Sequence, residues 1–272
     1  MSEETGRRIA VVTDSTCDLP RELAEEHGIH IVPQVLIMGT KTWRDGVDID
    51  PPAFYELLQT SSDFPASSQP SVPDFHEVFS RLAKEADGIA AILVSDELSG
   101  TINSARMAKE SLPDVPIEIV DTRSVSAQLG FIALAAARAA AAGADLQTVA
   151  GTARAMIGHA RVYFVVDTLE YLHRGGRIGA ASRLFGTALN LKPLLAIKDG
   201  IVQPVTKVRS RRKALATLLH ILDEELAGKE RIQMAVLHIA APEEAARLAE
   251  QLVPRYNPAE MIHTECGPVV GT

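Results

Sequence analysis

The 272-residue chain is 46% hydrophobic and 23% charged, an ordinary globular balance that excludes a disordered or collagen-like polypeptide. Its 27 Lys and Arg against 35 Asp and Glu leave a formal charge of −8, so no general electrostatic attraction draws it to nucleic acid. Two cysteines, Cys17 and Cys266, are too few for a disulfide framework and match no zinc spacing. The N-terminus carries no apolar signal region. The longest apolar run, 131–142, is broken by Arg138, stopped by Gly143 and too short to span a bilayer, so a cytoplasmic protein without a transmembrane segment is expected.

In chain order, residues 9–12 read as a buried strand followed by the polar turn 13–18. Asp18 is placed to N-cap a helix that tolerates Pro20 in its first turn and stops at Gly28. The β-branched run 29–38 predicts an extended segment, with Pro33 at an edge or bulge. A helix starts at Asp50-Pro51-Pro52 with Phe54, Leu57 and Leu58 on one face, and the Ser- and Pro-rich stretch 61–71 reads as loop. A further helix follows Ser71, 88–94 is a continuously apolar strand of the parallel type, and 117–120 is another strand. Helices at about 126–142 and 145–158 complete this half. Strand–turn–helix units in series predict an α/β/α layered domain with a mostly parallel sheet.

The second half mixes hairpins with helices. Strand 162–166 and a short helix from 168 to 173 precede 194–197 and 201–208, which flank Lys198-Asp199-Gly200, the strongest hairpin signal in the chain. Helix 211–226, strand 233–239 and helix 242–252 follow. The change places a boundary near Gly158, with an N-terminal α/β domain over 1–158 and a C-terminal α+β domain over 159–272.

Three polar turns follow strands in the first half, at 13–16, 95–101 and 121–126, where open parallel sheets bind ligands. No P-loop, GxGxxG or GxSxG is present, and the eight histidines form no metal-binding spacing, so neither a cofactor nor a metal is expected. In the 95–101 turn Ser99 either caps the following helix or holds a carboxylate or phosphate oxygen beside free N–H groups. Ser71 reads as a helix cap, leaving Ser67 and Ser68 free to face a ligand. Cys17 has no evident base and reads as a packed thiol. Arg209, at a strand end within KVRSRRK (207–213), is suited to a carboxylate or phosphate, and the Gly-Gly turn before Arg177 reads as a helix C-terminus.

In combination, VTDSTCDLP (12–20), SSQPS (67–71), SDELSGT (95–101), DTRSVSAQLG (121–130), DTLEYLHRGGRIG (167–179), LNLKPLL (189–195) and KVRSRRK (207–213) closely resemble the DegV family from about Ile9 to the end of the sequence. The resemblance implies a two-domain carrier that binds one long-chain fatty acid between its domains and presents the carboxylate to a separate fatty acid kinase, with no catalysis of its own. Carried over by position, Ser67 (threonine in the family pattern) and Ser99 are implied to contact the carboxylate. Ser68, Gly100, Thr101 and Arg209 are implied as further head-group or partner contacts. The family pattern continues past GPVVGT (267–272) into a histidine-containing segment tied to phosphotransfer; a chain ending at Thr272 is expected to retain lipid binding better than kinase competence. Two other readings stand beside this one: an enzyme acting on a small phosphorylated or carboxylated metabolite, and a regulator using 207–213 on nucleic acid, which the net charge disfavours.

Overall fold

The computed structural model describes residues 8–186 and 191–272, so Leu189 and Asn190 of the 189–195 motif lie outside the described residues. Strand β1 (Ile9–Asp14) is followed by a single 3-10 turn at Ser15–Cys17, α1 (Arg21–Glu26) and β2 (Ile29–Val32). Next come β3 (Val35–Met38), β4 (Lys41–Arg44), α2 (Pro51–Thr60), β5 (Ala66–Ser68) and α3 (Val72–Leu82). This half continues with β6 (Gly88–Leu93), α4 (Thr101–Glu110), β7 (Ile117–Asp121), α5 (Ala127–Ala141) and α6 (Leu146–Ile157). Four strands pair in parallel in the order β2-β1-β6-β7.

Both faces of this sheet are dry, which is why β1 from Ile9 to Val12 and the whole of β6 are apolar rather than alternating. Val11, Ala90 and Ile92 pack against α5 and α6, while Val12, Ile89 and Leu93 pack against α3 and α4 around Phe75 and Phe79. The mixed α/β class with a mostly parallel sheet is therefore the one that the alternation predicts.

Three local readings change. The extended run 29–38 is two strands: the chain breaks at Pro33-Gln34, and β3 leaves the parallel sheet to pair antiparallel with β4 and β5. The stretch 61–71 is not all loop, because β5 aligns Ser67 with Leu36 of β3, a pairing too short and non-local to leave a periodic signal. Asp18 does not cap α1, where Pro20 holds that position. Asp18 instead adopts a left-handed backbone, φ 50°, that turns its carboxylate inward. Ser71, by contrast, caps α3 as expected, in a reciprocal box with Asp74.

In the second half, β8 (Tyr163–Val165), α7 (Glu170–Arg174), β9 (Leu194–Lys198) and β10 (Ile201–Thr206) come first, and the strands form an antiparallel sheet in the order β10-β9-β8. Asp199 and Gly200, at φ 55° and 84°, make the tight turn that the Asp-Gly pair demands. Then α8 (Arg211–Leu226), β11 (Gln233–His238) and α9 (Pro242–Tyr256) lead to β12 (Glu260–Glu265), which pairs parallel to β11. Residues 242–256 extend the expected helix and 233–238 stop one residue short of the expected strand, whereas β12 has no counterpart in the sequence reading: four of the six residues of EMIHTE are polar, and most are half-buried. No helix among the described residues is long and apolar enough to cross a membrane.

The close seat of α5 on the turn after β1 depends on one glycine. A Cβ at Gly130 would lie 2.8 Å from the Cys17 carbonyl oxygen and 2.9 Å from the Leu19 side chain. Alanine at a helix interior normally gains about 1 kcal/mol over glycine. Here the clash with backbone reverses the sign, and Gly130→Ala is expected to destabilise the fold by about 1–3 kcal/mol in urea denaturation.

Candidate functional site

The order β2-β1-β6 places successive connections on opposite sides of β1, so a crevice opens at its carboxyl end, where parallel sheets bind ligands. Asp14 closes β1 at that point and is fully buried. Its Oδ1 accepts from Thr16 N (3.1 Å), Thr16 Oγ1 (2.6 Å) and Gln34 Nε2 (3.1 Å), and its Oδ2 accepts from Val94 N (2.9 Å). The carboxylate thus ties together the ends of β1, β2 and β6. Burial pushes its pKa up, and the donors around it oppose that shift.

From Asp14 the polar contacts run outward. Gln34 Nε2 also donates to Thr101 Oγ1 at 2.9 Å, and Thr101 Oγ1 lies 2.8 Å from Ser99 Oγ. Ser99 does not cap α4: Gly100 is the capping residue and makes no side-chain cap bond. The Ser99 hydroxyl is therefore left to its contact with Thr101 and to the space in front of it. Gly100 brings the second serine cluster close, because a Cβ there would meet the Gln69 amide at 3.1 Å. Among the described residues Ser67 Oγ has no hydrogen-bond partner, and Ser68 Oγ makes one long contact, 3.5 Å to Gln69 O.

Ser67, Ser68 and Ser99 all line a cavity of about 1280 Å³, together with Thr16 and Gln34. Its walls come from both sides of Gly158: Phe131 and Leu98 precede it, and Leu172, Leu218, Leu222 and Leu248 follow it. Gly100 and Thr101 are not on the wall; Thr101 is fully buried one layer behind Ser99. Arg209 is exposed and lies outside the lining residues. Arg177, which sequence reasoning read only as the residue after a glycine turn, does line the cavity and donates through Nε to Leu98 O at 3.2 Å, next to Ser99. Cys17 is a packed thiol, and burial raises its pKa.

The segment after β12 returns across the molecule to form part of this wall. Tyr55 donates its hydroxyl to Cys266 O at 2.9 Å, Gly267 N donates to Asp18 Oδ1 at 2.8 Å, and the Val269 N–H bonds Asp45. Residues 269–272 line the cavity. Asp18 also accepts from Ser126 Oγ at 2.6 Å, and Asp45 accepts from Ser15 Oγ at 2.7 Å. Burial, with a smaller push from the neighbouring carboxylates, lifts the Asp18 pKa to about 7 and that of Asp45 to about 6.

The fold and cavity define a mixed α/β protein with a large, mostly apolar chamber into which the hydroxyls of Ser67, Ser68 and Ser99 face. A family profile described as "Uncharacterised protein, DegV family" matches residues 8–272. A DegV domain-containing protein of Streptomyces coelicolor is 41% identical over 267 residues, 97% of this chain and 94% of that protein. Protein DegV of Bacillus subtilis is 33% identical over 265 residues, with the same coverage of each chain. The chain belongs to the DegV family. Among solved structures, DegV of Bacillus subtilis, described as a fatty acid binding protein, superposes with a TM-score of 0.91 at 32% identity, covering 97% of this chain and 94% of that one. A Thermus thermophilus DegV family protein, described by its fatty acid binding, gives 0.87 at 32% identity with the same coverage. A stearic acid-binding protein of Eubacterium ventriosum gives 0.84 at 27% identity, over 92% of this chain and 88% of that one.

The raised carboxylates carry a pH signature. Asp18 holds its proton up to about pH 7 in the folded chain but ionises in the ordinary carboxylate range when unfolded. The folded state therefore binds more protons between about pH 4 and 7, and stability falls as pH rises through that window, with Asp45 acting in the same direction up to about 6. Thermal unfolding is expected to give a lower Tm at pH 8 than at pH 5. Asp18→Asn, which can still accept from Gly267, should flatten most of that slope; an unchanged slope would remove Asp18 as its source.

Proposed function

We infer that this protein binds a long-chain fatty acid, with the acyl tail in the apolar chamber and the carboxylate at the Ser67 and Ser99 end. The observation that carries this reading is the coincidence of a cavity of about 1280 Å³ with two serine hydroxyls at its polar end, one with no partner and one released from capping. The fatty acid binding described for the Bacillus subtilis and Thermus thermophilus neighbours, and the stearic acid of the Eubacterium ventriosum protein, support it.

The energetics favour such a ligand. Burying roughly a dozen methylenes at about 0.8 kcal/mol each contributes about 10 kcal/mol before the cost of association. Each hydrogen bond to the charged head adds about 1.5–3 kcal/mol. The tail then sets most of the affinity, and the serines set orientation and depth. Donors that neither attack nor protonate the head leave it chemically intact, which suits a carrier that hands the carboxylate to a separate fatty acid kinase. In this reading the protein divides near Gly158, the ligand lies between the two parts, and the exposed Arg209 serves the kinase-facing surface.

Protein purified without added lipid is expected to release a long-chain fatty acid on denaturing extraction, identified by mass spectrometry. Protein that is lipid-free and also binds no added fatty acid would rule the reading out. Ser99→Ala should weaken fatty acid binding about 10-fold in calorimetric titration while leaving the folded state intact. Arg209→Ala should bind lipid normally and lower the rate of acyl-phosphate formation with the kinase; equal loss in both assays would mean that Arg209 supports the ligand or the fold.

A further inference from the structure

Gln34 is a side chain that nothing in the motif pattern singles out, and it is almost fully buried at 2% exposure. Its amide nitrogen sits between two acceptors, Asp14 Oδ1 at 3.1 Å and Thr101 Oγ1 at 2.9 Å. The carboxylate fixes the amide orientation, because Oε1 in that position would face Oδ1 lone pair to lone pair. Both N–H bonds of the amide therefore point outward from Gln34, one to Asp14 and one to Thr101. The Thr101 oxygen receives a hydrogen and must dispose of its own. Among the described residues its only other neighbour within hydrogen-bond distance is Ser99 Oγ, at 2.8 Å. Thr101 thus donates to Ser99, and the Ser99 hydrogen is left to point into the cavity that Ser99 lines.

We propose that Gln34 is the positioning residue for head-group specificity: anchored on Asp14, it polarises the Gln34–Thr101–Ser99 chain in one direction, so that Ser99 meets the ligand as a donor and the site favours an anionic carboxylate over a neutral hydroxyl. The inference rests on the fatty acid reading above, and it goes beyond that reading by assigning the choice of head to a cavity-lining amide that acts through Thr101 and Ser99. The Asp14–Gln34 and Gln34–Thr101 bonds are buried and the Thr101–Ser99 bond is partly buried, so each bond strengthens the next in the same direction. Asp14 is the source of the polarity, and Ser99 is where it is read.

Gln34→Glu tests the direction because it exchanges a single nitrogen for oxygen. Two carboxylates about 3 Å apart in a buried site share one proton rather than both ionising. The new oxygen then presents a lone pair to Thr101, Thr101 donates inward, Ser99 donates to Thr101, and the cavity meets an acceptor. The experiment measures the affinity of the full chain for oleic acid and for oleyl alcohol, which share one tail. The acid-over-alcohol ratio should fall about 10- to 100-fold in Gln34→Glu, with the alcohol affinity held. Adding Thr101→Val removes the inward acceptor and should restore the acid preference. Gln34→Met, which introduces no charge, should lower the ratio about fivefold by leaving Thr101 an open acceptor, and decides the matter if the Glu variant does not fold. A merely structural role would lower both affinities together and leave the ratio unchanged; that result, or a double variant no different from Gln34→Glu, overturns the proposal. If the unsubstituted chain binds neither ligand, the fatty acid reading fails first, an outcome separate from an unmoved ratio.

Discussion

The buried Asp14 carboxylate is the constraint on which the rest of the structure hangs. A charge-bearing group inside a dry sheet is tolerated only where donors surround it. Here those donors come from the turn after β1, from the second residue after β2 and from the residue following β6. Satisfying one carboxylate therefore aligns three strand ends and opens the crevice between them. Without that polar knot, the apolar faces around Phe75 and Ile132 would still collapse, since hydrophobic packing is not directional, but the strand ends would lose their common register. Stability comes chiefly from the two cores and placement from the knot.

This separation of roles explains the character of the cavity. Its walls are ordinary core residues: Leu172, Phe131 and Leu222 have the same chemistry as the side chains that fill the interior elsewhere. Its polar end is built from short hydroxyl and amide side chains that reach no further than their neighbours, so that small shifts in backbone register would disconnect them. The acidic total of the chain does not extend to the chamber lining, where Arg161, Arg174, Arg177, Arg211, Lys229 and Arg231 outnumber Asp167, Glu225, Glu230 and Glu244. A negatively charged ligand meets a more favourable field there than the net charge of −8 suggests.

Much of the fold was legible in the sequence because its signals are local. The apolar runs of β1 and β6, the Ser71 cap and the Asp-Gly turn each depend on a few neighbouring residues. The elements that escaped notice depend on distant partners. Three-residue β5 exists only because β3 lies beside it, and β12 carries few apolar residues because β11 supplies the pairing. The site divides in the same way. Ser67 and Ser99 are visible as hydroxyl-rich turns and as motif positions, and both reach the cavity. Gln34 reads as an unremarkable residue after a proline, since its partners lie 20 and 67 positions away along the chain. Asp18 misleads for the opposite reason: the sequence around it has the form of a helix cap, while its actual partners, Ser126 and Gly267, are remote. Arg209 and Gly100 show that motif membership alone does not put a residue on the cavity wall.

The return of the segment after β12 has a bearing on how the molecule is made. Asp18 and Gly267 are joined across 249 positions, so one side of the chamber has no wall until Gly267 and the residues after it have been synthesised. The parallel sheet and the helices that cover it can form while translation is still under way, since all of them lie before residue 158. Enclosure of the chamber therefore follows the sheet in the order of synthesis, because the residues that close it come last among its lining.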